Sequence, residues 1–131
     1  MEQELSDGEA VARFDKEGHW GLELLLNLYG CDVSMISDKE TMKKFVVDLC
    51  DFIDMKRFGD TTIDKFGEGE LYGFSFVQLI YTSSIVGHCV EKNGDVYLDI
   101  FSCKAFPPKR TEQYCKDYLK ARESKSQFTY R

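Results

Sequence analysis

From Gly21 the chain alternates: Leu22, Leu24, Leu26 and Leu28 fall on one side, with Glu23, Leu25, Asn27 and Tyr29 on the other. A period of two with one uniformly apolar side predicts a strand whose one face is strongly buried. Before it, Met1 to Gly18 is polar and charged, and only Ala10, Val11, Ala12 and Phe14 form an apolar group. Residues 1–18 therefore read as an N-terminal extension that is partly mobile or packs as a short helix. Beyond the strand, Ser37-Asp38-Lys39-Glu40 has capping-box spacing, so a helix is expected to start at Ser37. Met42, Phe45, Val46, Leu49 and Ile53 then recur at steps of three and four, an apolar stripe suited to lie on a sheet while Lys43, Lys44 and Asp48 face water. Arg57-Phe58-Gly59-Asp60 reads as the exit from this helix, and Thr61 to Phe66 as a second, weaker strand.

Tyr72 to Thr82 is the longest alternating stretch, with Phe74, Phe76, Gln78 and Ile80 on one side and Ser75, Val77, Leu79 and Tyr81 on the other. Ile85 to Val90 and Val96 to Phe101 flank Asn93-Gly94, a strong hairpin signal because both residues tolerate positive φ. The hairpin makes the strands leading to His88 and Cys103 neighbours. Pro107 and Pro108 open a last helix, buried through Tyr114, Cys115, Tyr118 and Leu119. The tail after Lys120, ARESKSQFTYR, is polar and expected to fray. The order strand, helix, strands, helix predicts one α+β domain over residues 1–131, a two-layer sandwich of a mainly antiparallel sheet with helices on one face. The other face of that sheet also needs cover.

Composition narrows the function classes. At 43% hydrophobic residues the chain can bury a real core, and a net charge of −6 argues against nucleic-acid binding, which needs a clustered cationic face. Five cysteines, with no apolar signal segment at the start, read as free thiols of a cytoplasmic protein. No CxxC pair occurs and His19 and His88 are far apart, so no metal site is expected. No stretch approaches the roughly 18 apolar residues of a membrane span. The glycines of FGEGELYG lack the spacing of a phosphate-binding loop.

The candidate chemistry lies in Ser75, Ser83, His88 and Cys103. Hydroxyl, imidazole and thiol are the groups needed to turn a serine into an electrophile and then use it. Taken one at a time, the serines fit strand or turn positions, His88 a sheet histidine and Cys103 a small apolar residue. Their order and spacing carry more. The string SFVQLIYTSSIVGHCVEKNGDVYLDIFSC, from Ser75 to Cys103, resembles the core of the short bacterial and archaeal S-adenosylmethionine decarboxylases. GLELLLNLYGCD resembles the opening strand of that family, LYGFS its approach to the processing strand, and YLDIFSC its ALDVFTC segment.

The resemblance implies a homodimer with active sites near the subunit interface, and a pyruvoyl group made from Ser83 by self-cleavage between Thr82 and Ser83. It implies that Ser75 stabilises the oxyanion of the cyclised intermediate, that His88 takes the proton lost in elimination, and that Cys103 protonates the substrate carbon after carbon dioxide leaves. The pyruvoyl ketone would draw off the electrons of decarboxylation in place of pyridoxal phosphate, with no metal. The implied substrate is S-adenosylmethionine, and the implied product is the aminopropyl donor of spermidine synthesis. Three positions depart from the family pattern. Asn27 replaces an acidic residue, Thr82-Ser83-Ser84 stands for Glu-Ser-His, and Cys89-Val90-Glu91-Lys92 stands for Thr-Trp-Pro-Glu in the adenosine-binding segment. These departures keep two alternatives open: a pyruvoyl-dependent decarboxylase of ornithine or arginine, and an unprocessed, noncatalytic paralogue that binds or regulates another protein.

Overall fold

The computed structural model describes residues 2–131. Six strands form one antiparallel sheet: β1 (Leu22–Tyr29), β2 (Thr62–Phe66), β3 (Gly73–Ile80), β4 (Ser83–Val90), β5 (Asp95–Ser102) and β6 (Glu123–Tyr130). Their spatial order is β2-β3-β4-β5-β1-β6. Four α-helices accompany them, α1 (Asp7–Glu17), α2 (Val33–Ile36), α3 (Lys39–Phe52) and α4 (Pro108–Tyr118). The expected α+β sandwich is thus present. Leu22, Leu24, Leu26 and Leu28 of β1, with Phe74, Phe76, Ile80, Ile85, Val96 and Ile100, meet Met42, Phe45, Val46 and Leu49 of α3 and Cys115 of α4 in one core. At about 25 cal/mol per Å² of apolar surface, this contact is the main stabilising term of the fold.

Gln78 is the polar exception on this face. Fully buried, it receives the Thr61 hydroxyl at 2.6 Å and donates to the Gly59 and Leu79 carbonyls at 3.1 and 2.8 Å. Those bonds fasten the segment from Arg57 to Thr61 along β3, supported by Phe58 N–H donating to the Leu79 carbonyl at 2.8 Å.

Two expectations need correction. The tail does not fray: Glu123 to Tyr130 pairs with β1 along its full length, from Leu22↔Tyr130 to Tyr29↔Glu123. Its polar composition reflects an edge position, where only Phe128 is buried and the hydroxyls of Ser124 and Ser126 donate to the Glu112 carboxylate of α4. Gln3 bonds both backbone groups of Phe128 on the outer side, covering the open edge. The N-cap of α3 is Asp38, which accepts from Thr41 N–H at 2.9 Å, because Ser37 is used to end α2 by donating to the Val33 carbonyl. Of the two readings of the polar N-terminal segment, the short helix is the one present: α1 buries Ala10 and Phe14, and its capping box is Ser6 with Glu9.

Among the described residues the second face of the sheet carries no α-helix. Across its centre run Thr62, Val77, Val86, Asp99, Leu25 and Gln127, one from each strand. Val77, Leu79, Leu25 and Tyr97 are exposed there. Partial burial, aided by a hydrogen bond with the Glu23 carboxyl and by its charge, pushes Asp99 up from 3.8 to about 6.

Two predictions follow from these contacts. Asp7 of α1 accepts the free Lys109 and Arg110 amides at 2.8 and 2.9 Å, acting as the cap for α4, whose own N-cap is Pro107 and offers no side-chain bond. Asp7→Ala is expected to cost about 1 kcal/mol and lower the melting temperature by a few degrees in thermal denaturation. A raised carboxyl pKa stabilises the fold only while the group can stay protonated, so the contribution of Asp99 is full below pH 3.8 and lost as pH rises through about 6. Asp99→Asn should therefore flatten the melting-temperature profile across that window relative to the parent chain.

Candidate active site

The turn between β3 and β4 has two residues, Tyr81 and Thr82, between the paired Ile80 and Ser83. Thr82 has φ +56°, in the left-handed region. For a β-branched residue this conformation is a genuine outlier, and such residues store about 1 to 3 kcal/mol of strain. The surroundings hold it there. Arg57 bridges to Ile80, and Tyr81 N–H donates to the Lys56 carbonyl at 3.3 Å.

Ser83 is the first residue of β4 and only 7% exposed. Its hydroxyl oxygen accepts the Cys103 N–H at 2.8 Å, which fixes the oxygen beside the Thr82–Ser83 peptide. Ser84 points to the opposite face, in register with Leu79 and Phe101. Cys103 follows β5 directly. The Thr82 hydroxyl donates to Cys103 Sγ at 2.9 Å, and the sulfur lies 3.7 Å from the Tyr81 carbonyl oxygen. The segment beyond is held by Ser102, whose hydroxyl donates to the Lys104 carbonyl at 2.6 Å, and by the Lys104–Asp54 ion pair at 2.8 Å.

The thiols separate by environment. The Thr82 hydroxyl has the largest effect on Cys103 and, with the Ser83 hydroxyl, the Cys103 backbone amide and the Lys104 charge, holds it below the usual thiol range against burial, which is second in size. Burial pushes Cys31 and Cys89 up to about 12, Cys50 to about 11, and Cys115 higher still. Cys103 is therefore the thiol that ionises most readily, since the other four are shifted the opposite way.

Ser75 and His88 form the other pair, directly opposite each other on β3 and β4, with Ser75 Oγ 2.8 Å from His88 Nδ1. Both lie on the uncovered sheet face. They do not meet Ser83: His88 lies five positions further along β4, a span of about 17 Å at 3.3 Å per residue. The adjacency of the β4 and β5 strands, expected from the hairpin, is present, yet His88 faces Tyr97 at one end while Cys103 emerges at the other. The four sequence candidates thus resolve into two pairs at opposite ends of β4 within one chain.

A cavity of about 490 Å³ opens beside Ser83. Its walls are Phe58, Tyr81, Phe101 and Leu79, and its floor runs from Thr82 to Ser84. Trp20 extends the aromatic wall by stacking on Phe101 with centroids 5.8 Å apart. Sequence reading missed these rings. Phe58 stood in an apparent helix exit, and its attachments to β3, through Gln78, its own N–H on the Leu79 carbonyl and the Arg57–Ile80 bridge, are invisible in a linear pattern. Cys89 is buried on the helix side and Glu91 pairs with Lys65 at 2.7 Å, so the altered Cys89–Lys92 segment sits at the far end of β4 from this cavity. Among the described residues no cluster of acidic, cysteine and histidine side chains suited to a metal occurs, and no helix is long and apolar enough to cross a membrane.

The fold is a small α+β sandwich that sets a serine, a left-handed threonine and a thiol of lowered pKa at one hairpin. The family model for S-adenosylmethionine decarboxylase matches residues 22–131, and the chain belongs to that family. It is 27% identical over 100 residues to the S-adenosylmethionine decarboxylase proenzymes of two Clostridium botulinum type A strains, covering 76% of this chain and 83% of each relative. The crystal structure of the adenosylmethionine decarboxylase from Aquifex aeolicus superposes with a TM-score of 0.73 at 20% identity, over 86% of this chain and 91% of that one. This likeness confirms the fold.

Iodoacetamide at neutral pH is expected to label Cys103 first, with the other four thiols unmodified until the fold is denatured; peptide mapping of the labelled protein reads this directly. Comparable early labelling at Cys31 or Cys50 would contradict the electrostatic ordering.

Proposed function

We propose that this chain is a self-processing, pyruvoyl-dependent decarboxylase of S-adenosylmethionine, cut between Thr82 and Ser83 and active as a homodimer. The observation that carries this reading is the Ser83 hydroxyl oxygen, held by the Cys103 amide next to a peptide whose Thr82 side is strained. The residues present fit a pyruvoyl precursor: a nucleophile fixed at the first position after the turn, and before it a threonine whose left-handed backbone could relax once the chain is cut.

In processing, Ser83 Oγ bonds to the Thr82 carbonyl carbon. Collapse of the cyclic adduct breaks the C–N bond, leaving an ester and a free Ser83 amine. Loss of the Ser83 Cα proton then expels the Thr82 carboxylate and gives a dehydroalanine, whose hydrolysis releases ammonia and leaves the ketone. Ser75 is assigned to the oxyanion of the cyclic adduct and His88 to the Cα proton. When formed, the pyruvoyl group supplies the electron sink for decarboxylation. Cys103 then gives its proton to the substrate carbon.

The separation of the two pairs supports a dimer. An isologous two-fold pairing of the uncovered faces that sets the two copies of β4 antiparallel brings the Ser75–His88 pair of each chain toward the Ser83–Cys103 pair of the other. The exposed Val77, Leu79, Leu25 and Tyr97 give such a pairing apolar surface to bury. Cavity chemistry favours S-adenosylmethionine over ornithine or arginine. Aromatic faces suit an adenine and a sulfonium cation, and no carboxylate lines the cavity to receive a side-chain ammonium or guanidinium.

Intact-mass analysis tests the reading. Purified protein should contain a chain ending at Thr82 and a second, N-terminally blocked chain beginning at residue 83; a single full-length mass after long incubation supports the noncatalytic paralogue instead. Ser83→Ala should abolish cleavage, Ser84→Ala should leave it intact, and Ser75→Ala and His88→Ala should slow it about 10²-fold or more. Cys103→Ala should still cleave but lose turnover of S-adenosylmethionine, measured as carbon dioxide release. Coexpressed Ser83→Ala and His88→Ala chains should recover cleavage of the His88→Ala chain if the pairs act across the dimer.

A further inference from the structure

We propose that Thr82 is the positioning residue of Cys103: its hydroxyl holds the thiol sulfur at the turn and stabilises it when ionised. The inference rests on Cys103 as the reactive thiol of the proposed site, but it concerns the uncut chain and can be tested without cleavage.

Three atoms form a triangle at this turn. Thr82 Oγ1 lies 2.9 Å from Cys103 Sγ and 2.7 Å from the Tyr81 carbonyl oxygen, and Sγ lies 3.7 Å from that same oxygen. A hydroxyl has one hydrogen to give. While the sulfur carries its proton, the Thr82 hydroxyl donates to the Tyr81 carbonyl and the S–H points toward the same oxygen. Once the sulfur is ionised, the hydroxyl turns and donates to it instead. The charge is met by rotation about one bond, with no heavy atom displaced. Bonds to a charged acceptor are about twice as strong as neutral ones, so the exchange favours the thiolate.

The left-handed backbone serves this geometry. With φ +56°, Thr82 has its side chain directed at the residue following β5, even though that residue is 21 positions away in the chain. The direction of the Cys103 shift agrees, since the Thr82 hydroxyl is its largest cause. It also gives a physical sense to the residue type found before the cleavage point. A carboxylate at position 82 would set a negative charge beside the sulfur and oppose ionisation, whereas a hydroxyl adapts to both protonation states.

The test uses full-length Ser83→Ala protein, which stays in one piece, and compares it with Ser83→Ala carrying Thr82→Val, an isosteric change that removes only the hydroxyl. The readout is the pH profile of iodoacetamide labelling at Cys103, followed by mass spectrometry. With valine the profile should move to higher pH and the rate at pH 7 should fall about tenfold, as expected for loss of one charge-assisted bond. Thr82→Ser should restore the original profile, and Thr82→Ala should repeat the valine result if valine disturbs the turn. Superimposable profiles for threonine and the hydroxyl-free variants would overturn the proposal, as would failure of serine to restore the profile. Because the chain is uncut throughout, either result stands apart from the intact-mass measurement on the parent protein, which alone decides whether Thr82–Ser83 is cleaved.

Discussion

The register of β4 against β3 and β5 is the constraint on which the site depends. A strand slipped by one residue turns every side chain to the other face. Here that slip would exchange Ser83 and Ser84, taking the hydroxyl off the Cys103 amide and placing it on the uncovered face. The register is pinned sterically at Gly87. A Cβ there would lie 2.2 Å from the Phe76 ring, so only glycine allows the ring to cross β4 at that point. Phe76 is itself almost fully buried against the helices. The packing of one aromatic side chain thereby decides which of two adjacent serines stands at the strained turn.

The two sides of the sheet answer different physical demands. The helix side is dry, with leucine, isoleucine and phenylalanine packed on α3 and α4 and with Gln78 fully bonded. The other side keeps polar and ionisable groups, Ser75, His88, Asp99, Glu23 and Lys125, between exposed apolar ones. Such a mixed surface tolerates water while the chain is alone and still offers area to a partner. Reactive groups are held at its two ends, and the sheet keeps them a fixed distance apart.

Much of this was legible in the sequence because period-two leucines, the Asn93-Gly94 turn and the Pro107-Pro108 start report directly on backbone conformation. The spacing of Ser75, Ser83, His88 and Cys103 was legible as well, and the family follows from it. What could not be read were the contacts between distant segments. Phe58 reaches the cavity because Gln78 and the backbone of β3 fasten its loop. The tail becomes a strand because β1 offers a full edge to pair with, an offer that no local pattern in ESKSQFTY announces. The division of the four candidates into two pairs follows from counting residues along β4, yet it carries meaning only once the hairpin direction is known. Thr82 was read as a mere replacement for glutamate, and its bond to sulfur depends on a left-handed φ that a β-branched residue gives no reason to expect.

The order of strands has a further consequence for a chain opened at the Thr82–Ser83 bond. The segment before that bond supplies β1, β2 and β3, and the segment after it supplies β4, β5 and β6. In the order β2-β3-β4-β5-β1-β6 these alternate, so β1 is threaded between β5 and β6 of the other piece. The β3–β4, β5–β1 and β1–β6 seams all cross between pieces, reinforced by Asp7 at the head of α4 and by the Tyr118 hydroxyl on Asp48 at 2.7 Å. Two such fragments are laced together rather than docked. Dilution alone would not part them, and neither keeps a complete sheet without the other, so a cut there would free a chain end at one turn while the molecule stayed a single cooperative body.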